Sequence, residues 1–258
     1  MLILLPPSET KRQDEPGAFL SPGTDMLAGL SFPELTPIRA ELLADLGVLC
    51  ADPEAAARAL KLGPKLAHEV ALNLGLRSAP LMPALQRYTG VLFDALDFDS
   101  LDAAARRYAA AHVLIQSAPL GPVGALEGIP NYRLSAAGRV PPTALKKRWA
   151  AAGNAALAGS GRFLLDLRSE AYAALSPLPA QGSSAYLRVV GVGSVSAGEP
   201  VRALNHFNKK TKGLLLRALL EDRPRCASAA GFIAWAQGRG FSVSERGSEI
   251  LLEEIARL

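Results

Sequence analysis

The sequence predicts an α+β (irregular α/β) fold: a mixed sheet with surrounding helices and a helical hairpin inserted as a subdomain. Three observations carry this expectation. Short apolar runs of strand length alternate with segments of helical spacing. Proline stands at the first turn of two early helices. No fixed-period repeat occurs and no linker is long enough to force a boundary, so residues 1–258 read as one domain, with a helical subdomain at 36–75.

Taken in order, MLILL at the start reads as a strand, and PPSETKRQDEPGAFLSPG after it as a loop long enough to be functional. Thr36-Pro37 starts a helix through about Val48, Asp52-Pro53-Glu54 caps a second, and another helix follows to about Leu74. Ser100 to Ala111 has helical spacing, and HVLIQS from His112 is a short buried strand. The Gly/Pro-rich segment APLGPVGALEGIPNYRLSAAGRVPP reads as irregular and leads into a basic helix around ALKKRWAAAG, which stops at Gly159-Ser160-Gly161. RFLLDL from Arg162, YLRVVGV from Tyr186 and PVRAL from Pro200 read as strands. Helices follow from about Asn205 to Glu221 and near Ser228 to Gln237, then FSVSE as a last strand. Gly191-Val192-Gly193 is expected to form a hairpin turn, since SVSAGEP opens a helix poorly and the third glycine of a dinucleotide loop is misplaced.

Composition excludes several classes. With 49% hydrophobic and 20% charged residues, the 258-residue chain reads as soluble and globular. No apolar stretch approaches a membrane span, and MLILL meets Pro6-Pro7 without a basic leader, so a cytoplasmic location and no membrane partner are expected. Cys50 and Cys226 read as reduced core thiols. His68, His112 and His206 fall in no metal-ligand spacing, so no metal and no cofactor are expected. No Gly-x-Ser-x-Gly elbow is present. Without a coiled-coil or repeat pattern to drive assembly, the chain is expected to be a monomer.

The stretch ALKLGPKLAHEV from Ala59 looks like the second half of a helix-hairpin-helix, an element that reads the DNA backbone. Leu62, Gly63, Pro64, Lys65, Ala67 and Val70 occupy the motif's places in order. Gly63 permits a tight turn, Pro64 suits the first helical position, and free amides at a helix start can hold a phosphate oxygen beside Lys65. Lys61 stands where the motif usually carries an earlier glycine. The same residues also fit an ordinary αα-corner.

Basic residues cluster in two further places. Arg202, Lys209, Lys210, Lys212 and Arg217 lie between Glu199 and Glu221 with no acid among them, and Leu214, Leu215 and Leu219 form the apolar stripe of that helix. Lys146, Lys147 and Arg148 precede Trp149, an aromatic that could pack or stack. Each cluster reads as a phosphate-binding face or as a solvated basic one. The net charge of +4 permits nucleic-acid binding.

Four segments carry a family resemblance: MLILLPPSETK, SAPLGPVGALEGIPNYRL, LDLRSEAY and NHFNKKTKGLLLRALLE. Together they resemble the YaaA family, named for a bacterial peroxide-stress protein. Ser117 stands fifteen residues before Tyr132, the family spacing, and Lys209, Lys210 and Gly213 match the family's helix in register. Leu120, Gly124 and Asp166 depart from its usual Tyr, Arg and Asn. The resemblance implies a cytoplasmic bacterial protein of the oxidative-stress response, linked to iron homeostasis and to limiting damage from free iron and peroxide. It also implies DNA binding through a helix-hairpin-helix in an unusual α/β fold with a positively charged cleft.

Two functions are therefore expected. In the first, Gly63, Lys65, Lys146, Lys147, Arg148, Lys209, Lys210, Lys212 and Arg217 contact double-stranded DNA through its phosphates, without base readout. In the alternative, the same cleft belongs to an enzyme acting on a nucleobase or nucleotide, glycosylase- or lyase-like. Its candidate catalytic residues are Ser8, Lys11, Tyr132, Arg133, Glu170 and Lys210.

Overall fold

The computed structural model describes residues 1–13, 25–180, 183–197 and 205–255. The chain enters through β1 (Leu2–Leu5), buried along its whole length. It continues through α1 (Thr36–Cys50) and α2 (Pro53–Ala59), where the Asp52 carboxylate accepts from the amides of Glu54 and Ala55 at 3.1 and 3.0 Å. This is the cap expected from Asp-Pro-Glu. Then come β2 (Leu81–Pro83), α3 (Ala84–Arg87), α4 (Val91–Leu96) and α5 (Ala103–His112), followed by β3 (Val113–Ser117), β4 (Gly121–Gly124) and β5 (Gly128–Pro130). The second half contains α6 (Leu145–Gly159), β6 (Leu164–Asp166), α7 (Glu170–Ala173), β7 (Ser184–Val190), α8 (Ser194–Ala197), α9 (Asn205–Asp222), α10 (Ala229–Gly238), β8 (Val243–Arg246) and β9 (Glu249–Glu253).

The main sheet runs β4-β3-β1-β6-β7-β9-β8. Its five inner strands are parallel and its two edges antiparallel. The apolar runs at β1, β3 and β6 follow from this, because inner parallel strands are covered on both faces. Leu4 lies opposite Leu114 on one side and Asp166 on the other, so the three central strands finish together at one end of the sheet. β2 and β5 form a separate antiparallel pair.

The mixed sheet with surrounding helices is as expected, and several local expectations change. The segment read as irregular contains β4 and β5. β4 is an edge strand, where Pro122 is tolerated, and Gly121 is required twice over. Its φ is +71°, and a Cβ there would lie 2.8 Å from the Trp149 ring. Trp149 is a core residue, fully buried, with Nε1 donating to the Ala118 carbonyl at 2.9 Å. After β7 the chain does not turn back as a hairpin but enters the one-turn helix α8. Both neighbours of β7 are parallel to it, which requires crossovers. The PVRAL segment and Arg202 lie outside the described residues.

The turn after α2 also differs. Gly63 has φ −69°, ordinary extended backbone, whereas Lys61 takes the left-handed conformation at φ +57°. The positive φ thus falls where the hairpin motif usually carries its earlier glycine. The segment Pro64–Asn73 winds as successive 3-10 turns rather than as an α-helix.

Long-range packing positions α9. Leu215, Leu216, Leu219 and Leu220 are its fully buried face, while Leu214 is only half-buried. Gly213 lets it lie against α4, since a Cβ there would press on the Leu92 carbonyl and lie 2.8 Å from Ala95 Cβ. Cys50 and Cys226 are buried free thiols.

Candidate functional site

The strand order places a switch point at β1 and β6. From β1 the chain moves to β3 on one side, and from β6 to β7 on the other. Ligands of open α/β sheets bind in the crevice that such a divergence opens beyond the carboxyl ends of the strands. At that end of this sheet lie residues 6–13 after β1, the end of β3, and residues 166–170 after β6.

On one side lies Lys11. Its ammonium donates to the carbonyls of Ser8 at 3.1 Å and Glu9 at 3.3 Å, and sits 4.1 Å from the Tyr132 ring centroid and 5.6 Å from that of Tyr88. The backbone bridges Lys11 to Tyr88, fixing the loop against α3. Tyr132 and Tyr88, both buried, share a 2.8 Å hydrogen bond, and Ser117 Oγ donates to Tyr132 at 3.0 Å. Burial pushes both phenols up, so they stay protonated. Burial and the neighbouring Arg133 guanidinium lower Lys11 to about 7.

Arg133 links this cluster to the helical segment. It donates to the Glu9 carbonyl through NH1 at 3.0 Å and pairs with the Glu9 and Glu69 carboxylates at 3.0 and 3.3 Å. Asn73, at the end of the 3-10 segment, accepts from the Arg133 amide and donates to its carbonyl, both at 2.8 Å. The wall of the crevice and the segment after the Leu-Gly-Pro-Lys turn are therefore clamped together.

Across the strand ends lies a buried ion pair that sequence reasoning missed. Arg168 donates through Nε and NH2 to Asp166 at 2.8 and 2.7 Å and through NH1 to Gln116 Oε1 at 3.1 Å. All three side chains are buried. Gln116 Nε2 has no hydrogen-bond partner among the described residues. Lys212 reaches the Arg168 carbonyl at 3.4 Å beside the Tyr186 ring, and burial lowers it to about 8. The position of Asp166 and Gln116 at the carboxyl ends of β6 and β3 is the signal that could have found them.

Of the six catalytic candidates, Lys11, Tyr132 and Arg133 converge, and Ser8 joins them through its main-chain carbonyl while its hydroxyl bonds Thr10 at the surface. Glu170 opens α7 and is held by Arg188 at 3.2 Å, close enough to the second cluster to act electrostatically on Lys212. Lys210 is exposed on α9.

Three of the expected DNA contacts are corrected. Arg148 is buried, paired with Glu41 at 2.8 Å and with Asp45. Lys212 is buried as described, so it does not share an open face with Lys209. Arg217 is engaged by Glu221 at 2.9 Å, by Asp97, and by the Leu96 carbonyl at 3.0 Å, which fastens α9 to the end of α4. Gly63, Lys65, Lys146, Lys147, Lys209 and Lys210 are exposed. Beside the turn at Lys61 lies an open groove of about 620 Å³ whose border includes Arg58, Lys61 and Arg139. The Arg139 amide donates to the Ala59 carbonyl at 2.9 Å, which joins the two sides of this groove. Among the described residues no group of three or more His, Cys, Asp or Glu side chains could hold a metal ion, and no helix is long and apolar enough to cross a membrane.

Comparison with known proteins places this geometry in a lineage. Residues 1–246 match the family described as peroxide stress protein YaaA. A UPF0246 protein of Corynebacterium efficiens is 42% identical over 250 residues, which cover 94% of each chain. A UPF0246 protein of Streptomyces coelicolor is 43% identical over 251 residues, 94% of this chain and 92% of the relative. One from Corynebacterium glutamicum is 37% identical over 95% of each. The chain belongs to the peroxide stress protein YaaA family.

Proposed function

We propose that this chain is a cytoplasmic, monomeric DNA-binding protein of the bacterial peroxide stress response, and that it holds duplex phosphates at the turn from Lys61 to Lys65. The observation that carries this reading is the open groove bordered by Arg58, Lys61 and Arg139. The Glu54 carboxylate reaches Arg58 only at 3.8 Å and is itself exposed. Lys65 is exposed in the first turn of the 3-10 segment, where Pro64 has no N–H, the Leu66 amide donates to the Gly63 carbonyl at 2.9 Å, and the Lys65 amide has no acceptor within the segment. Such contacts neutralise phosphate without reading bases, so binding would follow shape and charge. Protection would come from covering DNA or from engaging distorted duplexes.

Gly63→Asp tests the reading directly. Beyond its chain neighbours, no atom of the described residues lies within 4 Å of where a Cβ would be and the backbone there is extended, so the variant should fold normally. A carboxylate beside the phosphate should lower duplex affinity at least tenfold in gel-shift titrations. Unchanged affinity in the folded variant would remove this turn from the interface.

A second reading, an enzyme acting on a nucleobase or nucleotide, is favoured by a separate observation: the side chains of Lys11, Tyr132 and Arg133 converge at the switch point, where α/β proteins place their ligands. It is compatible with the first, because Glu69 and Asn73 join the crevice to the segment that follows the basic turn.

A further inference from the structure

We propose that Lys11 is the nucleophilic amine of the crevice and that its substrate is the open-chain aldehyde of a sugar, captured as an imine. This inference rests on the enzyme reading above and names its substrate class. The geometry sets Lys11 apart from an ordinary structural lysine. Among the described residues no carboxylate forms an ion pair with Nζ, which is held only by two main-chain carbonyls and the faces of two aromatic rings. Arg133 NH1 and Lys11 Nζ share one acceptor, the Glu9 carbonyl, so a fixed cation stands beside the amine. Lys11 also lies on the loop leaving β1, at the point where the sheet opens toward a ligand.

The charged groups around the amine act in opposite directions. Arg133 and Arg87 disfavour its proton, Glu9 and Glu69 favour it, and burial outweighs all four. With Lys11 brought to about 7, roughly half of the molecules carry a neutral amine at neutral pH, whereas an ordinary lysine is neutral in fewer than about 0.1%. The amine lone pair forms the N–C bond as the carbonyl π pair moves to oxygen, which takes the proton lost by nitrogen. One further proton from solvent lets that oxygen leave as water, and the nitrogen lone pair closes the C=N bond of a protonated imine.

An aldehyde of this kind could come from an abasic deoxyribose in duplex DNA or from a free sugar phosphate. The full chain is incubated with sodium borohydride and either a duplex carrying one abasic site or 2-deoxyribose 5-phosphate, and adducts are located by peptide mass mapping. The expected result is a single reduced adduct on the peptide containing Lys11, with a trapping rate that rises with pH through about 7 and falls at least tenfold in Lys11→Arg. An adduct in the duplex arm alone identifies a DNA lesion as the source, and one in the free-sugar arm a small metabolite. No adduct in either arm, or adducts spread over the surface lysines, overturns the proposal, and the mapping decides this on the unaltered chain even if Lys11→Arg fails to fold. Affinity for undamaged duplex, measured in parallel, separates this outcome from failure of the DNA-binding reading.

Discussion

Gly213→Ala should destabilise the protein although it improves the helix. The new methyl carbon would lie 2.8 Å from Ala95 Cβ and press on the Leu92 carbonyl, where carbon contacts settle at about 3.5–4.0 Å. The obstacle includes backbone of α4, which cannot rotate aside, so the two helices must separate by about 1 Å. Overpacking of this kind costs about 1–3 kcal/mol, and the backbone contact puts it near the upper end. Alanine in place of glycine inside a helix returns about 1 kcal/mol, leaving a net loss of about 2 kcal/mol. Gly47→Ala in α1 is the control: nothing lies within 4 Å of its Cβ position, so the same substitution should stabilise by up to about 1 kcal/mol. Urea titrations followed by circular dichroism measure both midpoints. If Gly213→Ala unfolds at the same or a higher urea concentration than the wild type, the close approach of α4 and α9 is refuted.

Three further outcomes follow from particular contacts. Lys61→Gly should raise stability by about 1 kcal/mol by relieving the left-handed conformation, while weakening duplex binding through the lost charge; a fall in the urea midpoint would contradict the first part. Asp166→Leu leaves Arg168 buried without its carboxylate and should cost about 3–5 kcal/mol, whereas Asp166→Asn, which keeps an acceptor, should cost less; equal midpoints for the two would show that the charge is immaterial. Lys212 has its folded value lowered to about 8 from 10.5, so the folded state binds fewer protons than the unfolded chain between those values. Its penalty is full below pH 8 and fades as pH rises toward 10.5, so the stabilisation gained by Lys212→Met should be larger at pH 7 than at pH 10; the opposite trend in urea midpoints would refute the sign.

What the sequence revealed depended on how local the cause was. The strands β1, β3 and β6 are legible because burial on both faces makes them apolar runs, and β7 because its buried residues Ala185, Leu187 and Val189 recur at every second position. The start of α2 is legible because Asp52 caps it through its own neighbours. β4 and β5 are not, because GPVG and GIP become strands only by pairing with distant partners. β9 had a readable signal in Gly247, a positive-φ position between two strand-like runs that closes the β8–β9 hairpin. Helical period could also have sorted the basic residues: Lys212 stands three, four and seven places before Leu215, Leu216 and Leu219, on their buried face. In the site, Lys11, Tyr132 and Arg133 came through the family resemblance. Tyr88 and Glu69 meet Tyr132 and Arg133 only through tertiary packing, and no local pattern marks them.

The central claim, phosphate binding at the basic turn, is tested most directly by the salt dependence of duplex affinity. Fluorescence anisotropy of a labelled duplex is titrated at several salt concentrations with the wild-type chain and with the double variant Lys61→Ala/Arg139→Ala. Both substituted side chains border the groove. If each neutralises one phosphate, the slope of log affinity against log salt should flatten by roughly 1.8, with similar losses for unrelated sequences. A slope identical to the wild type, or no duplex binding by the wild-type chain even at low salt, would contradict the account.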